Sequence, residues 1–260
     1  MIRFALLVAG ATACALAQIV PHNSSGVSMG HIHIVTPQPE LQKKIWVDVL
    51  GGKLVERGPL EYAMFPGVFV GFRKGESGGG TEGSVIDHLG FGVQDLAATK
   101  AKLTAAGVRI QREMPATKQL FAMFPDDVKV EFSELPGIAH PVVHHHVHFA
   151  SNQVDAMRQW YADTFGAVPG TRGKFQTADL PGVNLSWNPA DKPTLPSKGR
   201  AVDHIGFEVG DIQAFCKKLE AAGIKLDMQP TRRDDLGLII AFVTDPWGTR
   251  IELTQGLASR

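Results

Sequence analysis

The sequence repeats itself. GHIHIV (30–35) recurs as HHVHFA (145–150), and FPGVFVGF (65–72) as LPGVNLSW (180–187), both at an offset of 115. DHLGFGVQDLAATKAKLTAAGVRI (87–110) recurs as DHIGFEVGDIQAFCKKLEAAGIKL (203–226) at an offset of 116. A long internal period constrains a fold more than any local propensity, because both copies must adopt the same unit. The copies span 29–136 and 143–256, joined by a linker at 137–142 that carries a glycine and a proline.

Each copy divides again. A short alternating run precedes a helical stretch, and three strand-like pieces follow. In 143–188, Val154, Met157, Trp160, Tyr161 and Phe165 recur at helix spacing before the stop at Gly166. In 201–256, the strand DHIGFEV leads to Asp211 as a helix N-cap, then to a helix with Ile212, Phe215, Cys216, Leu219 and Ala222 on one face. LIIAFVTD and GTRIELT follow, with a turn at Asp245-Pro246-Trp247-Gly248 between them. With helices near 38–50 and 95–106 as well, the reading is an α+β fold of four βαβββ modules at 29–74, 85–136, 143–188 and 201–256. One such unit leaves a sheet face to bury, so the modules pair. Consecutive modules are expected to pair into two domains, 29–136 and 143–256.

Composition excludes some functions. Lys+Arg and Asp+Glu both number 26, giving zero formal charge, which does not suit a nucleic-acid surface. No stretch is apolar for the length of a membrane span. Residues 1–17 read as a signal peptide, with Arg3, an apolar run and the small-residue site Ala15-Leu16-Ala17, followed by a linker at 18–28. The protein is therefore expected to be exported, periplasmic or secreted, with lipidation at Cys14 as the alternative. Ten histidines are the oddity, four of them in VVHHHVHF (142–149). On a regular strand His144, His146 and His148 share one face, and His145 takes the other.

DHIGFEVGDI…LEAAGI…AFVTDPWGTRIEL resembles the vicinal oxygen chelate superfamily, which includes glyoxalase I, the extradiol dioxygenases and the bleomycin-resistance proteins. The resemblance covers nearly all of the chain after residue 28. It implies curled mixed sheets around a divalent metal (Fe, Mn, Zn or Ni), held by one His from the first strand of one module and a His and a Glu from its partner. Under consecutive pairing this selects His146, His204 and Glu252, with a possible second site at His31, His88 and Glu131. The glyoxalase-type fourth ligand falls at Asn184 and Phe69, neither of which is a carboxylate. The extradiol enzymes' acid–base His has no match between His148 and His204, and Phe242 stands near their expected Tyr.

His144 and His148, on the ligand's face, are candidate acid–base groups, and Glu208 is a candidate by its parity with His204. Asn184, Trp187 and Phe242 are candidate pocket residues. The expected activity is metal-dependent chemistry on a small oxygenated molecule, of glyoxalase or dioxygenase type. Extradiol ring cleavage and metal-free small-molecule binding are the alternatives. The expected assembly is a monomer or a homodimer.

Overall fold

The structure is a computed structural model that describes residues 19–257; the signal-peptide reading and Cys14 lie outside them. Four modules follow one another. The first comprises β1 (Val27–Thr36), α1 (Pro39–Lys43, running on as a π-helical stretch Lys44–Val49), β2 (Lys53–Arg57), β3 (Leu60–Phe65) and β4 (Val68–Lys74). The second comprises β5 (Ile86–Val93), α2 (Leu96–Ala105), β6 (Arg109–Met114), β7 (Gln119–Phe124) and β8 (Val128–Glu134). The third comprises β9 (Val142–Ser151), α3 (Val154–Phe165), β10 (Val168–Arg172), β11 (Phe175–Leu180) and β12 (Val183–Pro189). The fourth comprises β13 (Val202–Val209), α4 (Ile212–Ala221), β14 (Leu226–Arg233), β15 (Leu238–Thr244) and β16 (Arg250–Gln255).

The helix punctuation acts as the sequence implies. Asp95 and Asp211 accept from the backbone N–H of Ala98 and Ala214, at 2.8 and 3.0 Å, satisfying first-turn donors. Gly166 ends α3 at φ 70°, the left-handed conformation that glycine adopts without a steric penalty. Among the described residues, no helix is long and apolar enough to cross a membrane.

The pairing of modules differs from the expected one. One eight-stranded sheet runs β14-β15-β16-β13-β1-β4-β3-β2, joining the fourth module to the first. The other runs β10-β11-β12-β9-β5-β8-β7-β6, joining the third to the second. The seams are the antiparallel pairs β1–β13 and β5–β9. Because the modules are duplicates, each offers the same seam edge, and connection geometry decides between partners. The short link from β8 to β9 stays within one sheet. The two longer connections, after β4 and after β12, cross between the sheets and brace each other. Gly78 donates to the Gly199 carbonyl at 2.7 Å, Ala201 to Gly79 at 2.9 Å, and Val85 to Leu195 at 2.8 Å.

The convex faces of the sheets share the apolar core. From α1, Trp46 packs on Phe91 and Phe124 of the other sheet, at 5.1 and 4.9 Å between centroids. From α3, Phe165 packs on Phe207 at 4.8 Å, and the Tyr161 hydroxyl donates to Asp245 at 3.0 Å. Each of these helices thus lies between its own module's sheet, where Trp46 meets Phe65 and Tyr161 meets Phe149, and the other sheet. The concave faces are left to form two clefts: a central cleft from modules two and three, and a terminal cleft from modules one and four.

Candidate metal centres

Two β-bulges at each seam set which side chains enter a cleft. In β5–β9 the register steps from Gly90↔His146 to Phe91↔His144, leaving His145 as the extra residue. In β1–β13 the same step leaves Gly30 extra. A bulge breaks strict alternation and re-aims the neighbouring side chains. His146 and His148 therefore face the cleft, whereas His144 turns to the core. Its ring lies 5.4 Å from that of Phe91, and its Nδ1–H donates to the Gly182 carbonyl at 3.1 Å. His144 and His148 do not share a face, and the expected acid–base role of His144 is withdrawn.

Burial pushes the His144 pKa down to about 4 from an ordinary 6.5. The unfolded chain takes up a proton near pH 6.5 that the folded chain refuses until about pH 4. This contribution to stability is therefore complete above pH 6.5 and lost progressively as pH falls through that window, amounting to about 3 kcal/mol. His144→Met, which installs the residue its duplicate Met29 carries, is expected to flatten the loss. Urea midpoints at pH 7 and pH 5 should converge relative to the parent protein.

The second bulge lies at Asp87, and at Asp203 in the other seam. It brings each Asp to the same side as the His that follows it. His88 Nδ1 contacts Asp87 at 2.5 Å and His204 Nδ1 contacts Asp203 at 2.6 Å. Each Asp is held in turn by a cation, Lys129 at 2.7 Å and Arg250 at 2.6 Å. Burial works against charge on His88 and His204. The hydrogen bonds to their carboxylates outweigh it and raise both pKa values. With Nδ1–H committed to Asp, Nε2 is the nitrogen that faces the cleft, and a metal that displaces its proton finds the lone pair aimed at the other donors.

In the central cleft the donor atoms of His88, Glu131, His146 and His148 all lie within 4.8 Å of one another. Glu131 Oε2 is 3.1 Å from His88 Nε2 and 3.6 Å from His146 Nε2. Its Oε1 accepts from Gln119 at 2.6 Å and from Ser133 at 2.8 Å. Burial alone would raise its pKa, but His146 and His88 hold it far below the carboxylate range. His146 Nδ1 meets His145 Nδ1 at 2.8 Å, and Arg172 reaches His145 at 2.9 Å and Ser186 Oγ at 3.1 Å. His145, which alternation turned away from the site, thus steadies its neighbour's ring.

In the terminal cleft the same constellation is His31, His33, His204 and Glu252. Glu252 Oε2 lies 3.1 Å from His31 Nε2. It also lies 2.9 Å from His204 Nε2, which lacks hydrogen-bond alignment. Neither ring nitrogen of His33 or of His148 has a hydrogen-bond partner among the described residues, although both side chains are buried. Unpaired buried polar atoms cost about 1–3 kcal/mol each. Converging donors left in this state fit a cation: three imidazoles and a carboxylate suit zinc, nickel, iron or manganese.

Gly90 and Gly206 make this convergence possible. A Cβ on Gly90 would lie 2.0 Å from the His146 ring, and one on Gly206 would lie 2.0 Å from the His31 ring. The glycine of each DHxGF motif is the floor on which the partner strand's imidazole rests.

The expected ligand sets are thereby regrouped. His146 does not join His204 and Glu252; those two share a cleft with His31. His88 and Glu131 belong with His146, not with His31. Glu208 belongs to neither donor cluster: its carboxylate accepts from Thr254 Oγ1 at 2.7 Å and from the backbone N–H of Gly256 and Leu257 at 2.8 and 2.9 Å. Trp187 is core, 1% exposed and stacked 5.6 Å from Phe149. Asn184 lies in register with His146 in the central cleft. Phe242 sits 5.3 Å from His204 in the terminal one. Asp87, Asp203, Gly90 and Gly206 shape both sites, and no ligand spacing in the sequence marks them.

The family profile of the glyoxalase/bleomycin resistance protein/dioxygenase superfamily matches residues 28–132 and 142–253. The chain belongs to this superfamily. Glyoxalase I from Zea mays superposes on 90% of this superfamily member and 94% of its own chain, with a TM-score of 0.67 at 18% identity. A Bacillus subtilis protein provisionally described as a dioxygenase covers 88% of this chain and 85% of its own, at a TM-score of 0.66 and 17% identity. At such identities the likeness is one of fold. A Vibrio cholerae protein named "Probable lactoylglutathione lyase" is 38% identical over 73 residues, 28% of this chain. The match spans half the length of that relative.

The carboxylate that steadies a metal-binding His raises its basicity and fixes its tautomer. Asp87→Asn should weaken metal binding in the central cleft about 10- to 100-fold. Competition against a colorimetric chelator measures this, with Asp203→Asn as the matched change in the terminal cleft.

Proposed function

We propose that the protein is a divalent-metal-dependent enzyme acting on a small oxygenated molecule bound in the central cleft. The observation that carries this reading is the convergence of His88, Glu131, His146 and His148 beneath a polar, partly exposed wall. Gln119 and Asn184 are half-buried on that wall, and Asp179 is exposed beside Asn184. Arg172 lies over the donors from β10.

His88, His146 and Glu131 would hold the ion, with His148 beside them, and the ion would supply Lewis acidity toward a chelating pair of substrate oxygens. Asn184 stands next to His146 where glyoxalase-type chemistry would place a carboxylate. It orients and hydrogen-bonds but does not abstract protons. His148 is the titratable group beside the set, held neutral because burial drives its pKa down to about 3. A neutral imidazole has a lone pair free to ligate the ion, and so low a pKa suits that role better than taking a proton from substrate. Arg172 is placed to meet negative charge developing on a substrate oxygen.

A second reading, oxygen activation of the extradiol type, is favoured by the same Asn184. Without a carboxylate at the fourth ligand position, two His and one Glu leave open positions on the ion. Metal analysis beside two assays tests the proposal. One follows isomerisation of the methylglyoxal–glutathione hemithioacetal, and the other follows oxygen uptake with catechols. Turnover in the first supports lyase chemistry, and oxygen consumption supports the second reading. Purified protein that takes up no divalent metal would sink both. We further propose that the enzyme works outside the cytoplasm, on the signal-like character of residues 1–17. Sequencing the N-terminus of protein recovered from its natural source tests this.

A further inference from the structure

The two centres share their donors but not their walls. Beside His146 stand Asn184 and then Asp179; beside His31 the same register positions hold Phe69 and Met64. Across from His148 the wall ends in Thr177, and across from His33 it ends in Tyr62. Gln119, two residues along from the position facing Glu131, corresponds to Ile240 beside Glu252. Exposure differs accordingly. Tyr62, Met64, Phe69 and Ile240 are 4%, 9%, 3% and 5% exposed, whereas Asp179 is exposed and Asn184 and Gln119 are half-buried; Thr177 is buried like Tyr62, and the donor side chains are buried in both clefts.

The terminal cleft also has a roof. After β16 the chain folds over the site, and Leu257 is 1% exposed within the apolar cluster that contains Phe69 and Tyr62. Its N–H donates to Glu208, and its carbonyl accepts from Arg57 at 2.6 Å, with the guanidinium 5.8 Å from the Phe69 ring. Ile19, at the other end of the described chain, joins the same cluster. The tips of the β2–β3 and β14–β15 hairpins meet, and Leu236 joins the same apolar cluster. A Cβ on Gly58 would lie 2.3 Å from the Asp235 carbonyl oxygen. In the central cleft the chain after β8 runs on into the connection to β9, so no such roof forms from it.

We infer that the terminal cleft holds a structural divalent ion on His31, His33, His204 and Glu252, closed to substrate and tying the first module to the last. Either cleft offers four protein donors, enough for the closed shell of a structural site; the apolar wall and the roof deny a terminal ion the position that a catalytic ion keeps for substrate or water, and the polar wall leaves that position to the central one. An ion bound only by the folded state adds its binding free energy to folding, so this centre fastens the seam between the chain's two ends. The inference rests on the proposal that the donor sets bind metal, and it divides the two sets by role.

Cobalt(II) loading tests it, with acetohydroxamate as a small bidentate probe of open coordination. His88→Ala leaves only the terminal centre intact, and His204→Ala leaves only the central one; Glu131→Gln replaces the first should it fold poorly. The expected result is about one cobalt per chain in each variant. The visible spectrum of His204→Ala should shift on adding acetohydroxamate, and that of His88→Ala should not. Chelation should lower the melting temperature of His88→Ala by roughly 10 °C, and that of His204→Ala by less. A hydroxamate-responsive spectrum in His88→Ala, or cobalt in the central cleft alone, would overturn the inference and leave the proposed enzyme standing. Cobalt in neither cleft would overturn both.

Discussion

His146→Ala combined with Glu252→Ala is expected to strip the protein of all its metal, whereas His146→Ala combined with Glu131→Ala should strip only half. Each single variant should carry about one ion per chain against about two in the parent, since the donor groups are His31/His33/His204/Glu252 and His88/Glu131/His146/His148. The pairing of modules makes this asymmetry. Under consecutive pairing, His146 and Glu252 would serve one ion, and their double variant would lose no more than either single variant. Elemental analysis of the parent, the single variants and the two double variants separates the two arrangements without any substrate.

The second large effect is expected from a single methyl group. Gly206→Ala places a Cβ 2.0 Å from the His31 ring, and Gly90→Ala does the same to His146. Neither imidazole has free space behind it, because both strands are fixed by their seams. The ring must leave its position, and overpacking of this kind costs about 1–3 kcal/mol. Each variant should lose the ion of its own cleft and keep the other. Gly170→Ala is the control, with Thr177 Oγ1 at 3.3 Å from its added Cβ and no imidazole nearby. Its urea midpoint and metal content should stay close to those of the parent.

The fold was largely readable because duplication amplifies weak signals. Asp95 and Asp211 mark helix starts at matching places, and Gly166 marks a stop. The histidines of GHIHIV and HHVHFA fall in step. The partner choice was not readable, because four similar modules offer interchangeable edges and only the connection paths distinguish them. The bulges were also hidden. Strict alternation assigned His144 to the cleft and His145 away from it, and one extra residue at His145 reversed both. The duplicate held a clue: His144 aligns with Met29, a core residue, and His145 aligns with Gly30. Asp87 and Asp203 were passed over for the same reason, since neighbours on a regular strand point apart.

The seams also set an order in time. Modules two and three are adjacent in the chain, so the β5–β9 seam can close once residues through β12 have left the ribosome. The β1–β13 seam joins segments separated by most of the chain, and β1, paired with β4 on one side, has no partner on its other edge until β13 is made. Closing so long a loop is slow relative to local pairing. Newborn chains therefore pass through a stage with the central sheet assembled and one edge of β1 unpaired. That edge, apolar and buried on completion, is where a chaperone or a misdirected second chain has its opportunity.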